Sequence, residues 1–152
     1  MKPDQARPFL EEALAELAQA RAHLDFSFRQ VAPLPDNLKG ATPGQLESVE
    51  AFSSRFARTV DLLVNKVLRT LDRVELLPQG TLLDVVNRAE KRSFVARAAE
   101  LREMKDVRNI IAHDYAGAKV ADIFAYCREQ KPALEAICSR VAAYATPLSA
   151  AH

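Results

Sequence analysis

Within eight residues this chain carries Arg108, Asn109, His113 and Tyr115, in the order Arg-x4-His-x-Tyr. Those residue types suit metal-free chemistry on a phosphodiester. An imidazole takes or gives a proton near neutral pH, and a permanently charged guanidinium clamps two phosphate oxygens. An asparagine amide orients a phosphate or the ring, and a phenol stands just beyond the histidine, where the helix should be ending.

The placement of these residues adds to their types. Stepping about 100° per residue along a helix, Phe94, Ala98, Leu101, Met104, Val107, Ile111 and Ala112 fill one apolar arc. Arg108 falls inside that arc, where a guanidinium must be paired or face a cavity or a partner. Asn109 and His113, four apart, share a second face. Arg108 and His113 diverge by about 140°, so to act together they require the helix to end near His113 or a second copy to supply the other group. The plainer reading is a core salt bridge and a solvated histidine, and spacing alone does not choose between them.

The eight-residue stretch resembles the R-x4-H-x-Y motif of the HEPN superfamily, and within it the HepT toxins of type VII toxin–antitoxin pairs. The resemblance implies an all-α, up-and-down bundle of about five helices that forms a homodimer. It implies a metal-independent endoribonuclease with no cofactor, in which Arg108 and His113 are catalytic, Asn109 orients the substrate, and the RNA is a transfer or messenger RNA. It also implies a partner, a minimal nucleotidyltransferase antitoxin of the MntA kind, that silences the toxin by attaching AMP to Tyr115. Related domains that keep similar residues serve as non-catalytic subunits of nucleotidyltransferases, which is the competing function. A purely structural bundle is the third reading.

Four further helices must hold the motif. Leu10, Leu14, Leu17, Leu24, Phe28 and Val31 predict a first helix from about Pro8 to Val31, followed by a Pro- and Gly-rich loop to about Pro43. Val49, Phe52, Phe56, Val60, Leu63, Val67, Leu71 and Val74 predict a long second helix from about Gly44 to Leu77. Beside that apolar face, Arg55, Arg58, Lys66, Arg69 and Arg73 fall within about 80° of one another. This basic stripe is either a solvated face balanced by Asp61 and Asp72, or a track for RNA phosphates or an acidic partner.

Thr81 with Asp84 predicts the start of a short third helix to about Arg92, and Ser93 is read as the cap of the motif helix, Phe94 to His113. Asp114 to Ala118 is the turn beyond it, which would leave Tyr115 exposed. A last helical region runs from Lys119 to about Tyr144, with Pro132 starting or kinking a helix. The domain is placed at residues 1–145, with a flexible tail at 146–152.

Composition narrows the classes. A chain of 152 residues, 49% of them hydrophobic, suits one domain with a real core. Net charge is +1, so any nucleic-acid contact rests on local patches. Cys127 and Cys138, eleven apart on one predicted helix, are too distant to bridge and read as buried thiols. The three histidines, His23, His113 and His152, are scattered, no zinc-type ligand spacing occurs, and no glycine-rich phosphate loop is present. Aromatic residues look too few and too buried to build a base-stacking platform. With no signal-peptide pattern and no apolar run of membrane-spanning length, a cytoplasmic location is expected.

Overall fold

Sequence punctuation explains most helix ends in the computed structural model, which describes residues 2–113 and 119–150. Five helices and no strand occur among the described residues. Helix α1 spans Pro3–Val31. Helix α2 is continuous through Pro43–Asp61, a π-helical stretch Leu62–Leu68, and Arg69–Val74. Helix α3 spans Leu82–Lys91, α4 spans Ala98–His113, and α5 spans Val120–Ala150.

The N-termini of α2 and α3 are capping boxes. Thr42 Oγ1 accepts from the Gln45 N–H at 3.1 Å, and Gln45 Oε1 accepts from the Thr42 N–H at 2.9 Å. Asp84 plays the Gln45 role at α3, accepting from the Thr81 N–H and hydroxyl, which lowers its pKa. Gly80 is required there, because a Cβ would stand 2.3 Å from Asp84 Oδ2.

Ser93 does not start the motif helix. It ends α3, in the left-handed region at φ 64°, while the Phe94 N–H reaches the Ala89 carbonyl and the Ser93 N–H the Glu90 carbonyl, both at 2.9 Å. Those two bonds make a Schellman motif, and they turn Phe94 into the core. Helix α4 begins five residues later, where the Glu90 carboxylate accepts from the Ala98 N–H at 2.8 Å. Leu76 repeats the device at the end of α2, with φ 61°.

Three helices surround one core. Helices α1 and α2 run antiparallel, as Lys66 to Glu16 and Arg55 to Ser27 show. Helix α5 runs antiparallel to α1, with Lys131 paired to Asp25 and Arg21 to Glu135. Phe52 packs edge-on against Phe124, Phe56 against Tyr126, and Phe94 against Tyr144. Leu101 and Met104 of α4 complete the core.

Helix α5 passes through Pro132 without a break and continues to Ala150, where the sequence suggested a flexible tail from 146. Ala145 and Ser149 are buried, so residues 145–149 still pack on the bundle. Cys127 and Cys138 lie buried as free thiols on this helix, and burial pushes each up to about 12. No helix among the described residues is long and apolar enough to cross a membrane.

Candidate active site

Helix α4 is positioned against α2 by Leu101 and Met104, which are fully buried, and by Val107 and Ile111, which pack partly into the core. That orientation turns Arg108 towards α2. Arg108 Nη2 lies 3.1 Å from Asp61 Oδ2, and Nη1 donates to Asn109 Oδ1 at 3.1 Å. Asp61 Oδ1 also accepts from Lys105 Nζ at 2.5 Å and from Asn65 Nδ2 at 2.9 Å. One carboxylate therefore serves two cations and an amide.

The Asp61 and Arg108 side chains remain 34% and 29% exposed, so their pair is only partly desolvated. A pair in that setting is worth on the order of 1 kcal/mol or less. Arg108 has five N–H donors, and its contacts with the described residues use two. A phosphate group can take the place of Asp61 at small cost. Ser54, Ala57, Arg58, Asp61, Arg108, Ile111 and Ala112 line a shallow depression of about 300 Å³ around that guanidinium.

His113 is exposed at the end of α4, and its side chain makes no hydrogen bond to another described residue. Asn109 is exposed on the same side, and the hydrogen bond it makes orients Arg108. Tyr115, with the rest of residues 114–118 that the sequence reads as a turn, lies outside the described residues. Ala112, assigned to the apolar arc from sequence, is exposed.

The basic stripe is less uniform than a straight helix suggested. The π-helical stretch Leu62–Leu68 adds width to each turn, so residues after it are rotated relative to those before it. Arg55 is directed into the α1 face, donating to Ser27 Oγ at 2.6 Å and to the His23 carbonyl at 3.3 Å. Lys66 pairs with Glu16 at 2.7 Å, and Arg69 donates to the Gly80 carbonyl at 2.8 Å. Arg58 and Arg73 are exposed and form no ion pair with a described residue. Asp61 and Asp72, read as balancing the stripe, instead hold Arg108 with Lys105 and Arg88 with Arg92.

Sequence reasoning missed Lys105 and the role of Asp61. Lys105 precedes Arg108 by three residues, which puts both on one helix face, and that spacing was the available signal. Among the described residues no three His, Cys, Asp or Glu side chains converge as metal ligands. A larger depression of about 550 Å³ lies between the α3–α4 connection and α5. Its Glu90 and Arg140 are engaged with the Ala98 N–H and the Phe94 carbonyl, and the motif residues are elsewhere.

A family model described as ribonuclease HepT-like matches residues 57–141, more than half of the chain. The chain belongs to the HepT-like ribonuclease family. No curated protein and no solved structure matches it. In this HepT-like chain the matched span includes Arg58, Asp61, Lys105, Arg108, Asn109 and His113, and leaves out α1 and Arg55. Family membership supports ribonuclease activity on an all-helical HEPN bundle.

Proposed function

We propose that this protein is a metal-independent endoribonuclease, the toxin of a toxin–antitoxin pair, with Arg108 and His113 as its catalytic residues. The observation that carries the reading is Arg108 held at the wall of an open depression by Asp61 and Asn109, in a HepT-like ribonuclease. A base removes the proton of a ribose 2′-hydroxyl, and the 2′-oxygen attacks phosphorus. The P–O5′ bond breaks, and an acid protonates the leaving 5′-oxygen. The products are a 2′,3′-cyclic phosphate and a 5′-hydroxyl. Arg108 stabilises the added negative charge at phosphorus, and imidazole supplies the base and the acid.

Two copies paired through α4 give the two imidazoles this scheme uses. Ile110, 38% exposed, lies with the exposed Asn109 and His113 on one face of α4, the surface offered to a second α4. RNA is the substrate, and a minimal nucleotidyltransferase antitoxin is the partner.

The test is incubation of purified protein, produced without a nucleotidyltransferase, with total and transfer RNA in EDTA. The expected result is cleavage that leaves 2′,3′-cyclic phosphate ends. Intact RNA, with the protein's mass showing no added AMP, would sink the reading.

Silencing follows from the same chemistry. AMP on Tyr115, two residues past His113, sets a bulky anion beside the cations that a substrate phosphate needs. Tyr115→Phe therefore stays toxic in cells that also make the nucleotidyltransferase, while the wild-type protein is silenced. Full protection of cells carrying the variant would remove Tyr115 from the scheme.

A second reading has one observation in its favour: Arg108 is already neutralised by Asp61, as in a non-catalytic subunit that only binds a nucleotidyltransferase. In that case His113→Ala leaves growth inhibition and partner binding unaltered.

A further inference from the structure

Beyond the motif, the surface leading away from Arg108 has a chemistry of its own. The depression around Arg108 shares Arg58 and Asp61 with a second one of about 290 Å³, and that one shares Asn65 and Lys66 with a third of about 240 Å³. The three form one shallow channel along α2, and Phe9, Arg69 and Arg73 lie at its far end.

Phe9 is 52% exposed, although the core face of α1 is made by its neighbours Ala6, Leu10 and Ala13. Its ring sits off the core face, open to the channel. Phe9 is thus not buried as the sequence pattern suggested for the aromatic residues. Arg58 near the start and Arg73 at the end are exposed without an ion partner among the described residues. Arg69 spends one N–H on the Gly80 carbonyl. Lys66 is paired with Glu16 and contributes least.

Resting on the ribonuclease reading, we propose that this channel is the track of a single RNA strand, which runs from Arg108 along α2 and stacks a base on Phe9. Cations at intervals beside an aromatic face are what an unpaired strand requires. Phosphates take the guanidiniums, and a splayed base takes the ring. A duplex does not fit this description, because its bases are stacked on one another and closed to an aromatic side chain. From Arg58 to Arg73 the helix rises about 20 Å, enough for several nucleotides on one side of the cut.

The test uses RNAs of increasing single-stranded length on each side of the cleavage site. It also uses non-cleavable 2′-O-methyl copies carrying 2-aminopurine at successive positions. In the wild-type protein, extension on one side lowers KM by about 5- to 10-fold, consistent with a stacking contribution of about 1 to 1.4 kcal/mol. One 2-aminopurine position changes fluorescence on binding. Phe9→Leu abolishes both the length advantage and that signal, Phe9→Trp restores them, and Arg73→Glu weakens binding of the long RNA and lowers its salt dependence.

Cleavage with no length advantage, or a signal that survives in Phe9→Leu, overturns the track and leaves the ribonuclease reading standing. A Phe9-dependent signal with no cleavage by any form supports the track and overturns the ribonuclease reading. Binding of neither RNA overturns both.

Discussion

His113→Ala lowers the single-turnover rate of RNA cleavage by about 10²- to 10⁴-fold and leaves the thermal unfolding curve where it was. The two halves of this expectation have separate causes. His113 ends α4 in an exposed position, and its side chain has no hydrogen bond to another described residue, so its removal takes little from the fold. Its loss from the chemistry leaves the 2′-hydroxyl without a base.

Arg108→Lys tests the other half of the site. An ammonium keeps the charge and can still pair with Asp61, but it lacks the planar fork that grips two phosphate oxygens. The expected loss is about 10²- to 10³-fold in rate. Alanine at position 108 is the less informative change, because it also releases the Asp61 carboxylate that Lys105 and Asn65 still hold. A fall of less than threefold for both His113→Ala and Arg108→Lys would remove the motif from the chemistry.

What the sequence revealed about this site followed from helical periodicity, and what it hid followed from departures from it. Leu101 and Met104 are buried and Arg108 turns inward as a 100° step requires, because α4 is a regular helix from Ala98. The extension back to Phe94 failed for a local reason. Phe94 is as apolar and buried as a helical core position, but it gets there through the left-handed turn at Ser93. A serine before an apolar run reads equally well as the start of one helix or the end of another.

Both terminal helices run further than the sequence reading placed them. The apolar spacing starts α1 at about Pro8, whereas Pro3 holds the first turn and Pro8 lies inside the helix. Pro147 likewise sits inside α5, in the stretch read as a tail. The π-helical stretch of α2 had no signature, since Leu62 to Leu68 read as ordinary apolar helix. A stripe drawn on a straight helix also takes in Arg55, which faces α1. Phe9 was overlooked for the opposite reason. It adjoins the core residue Leu10, and only packing shows which of two neighbouring apolar residues the core accepts.

Asp72→Ala destabilises the protein by about 3 to 5 kcal/mol. Asp72 is 2% exposed, with Oδ2 3.0 Å from Arg88 Nη1 and Oδ1 2.8 Å from Arg92 Nη1. Arg92 is itself 10% exposed and also pairs with Glu75, which accepts from the Tyr144 hydroxyl at 2.7 Å. The network ties the end of α2 to the end of α3 and to α5, and it sits beside the turn that directs Phe94 into the core.

Removing the carboxylate leaves two guanidiniums close together in a partly desolvated space, with Glu75 and the Pro78 carbonyl as their acceptors, and the uncompensated charge causes most of the loss. The intact network has a much smaller net value, because desolvation of its members offsets their attraction. A variant that also carries Arg88→Met and Arg92→Met therefore recovers a large part of what Asp72→Ala loses. Urea denaturation at neutral pH separates the two cases. A loss below about 1 kcal/mol in Asp72→Ala, or a further loss in the triple variant, would mean that the network is valued for its own hydrogen bonds and not for neutralising buried charge.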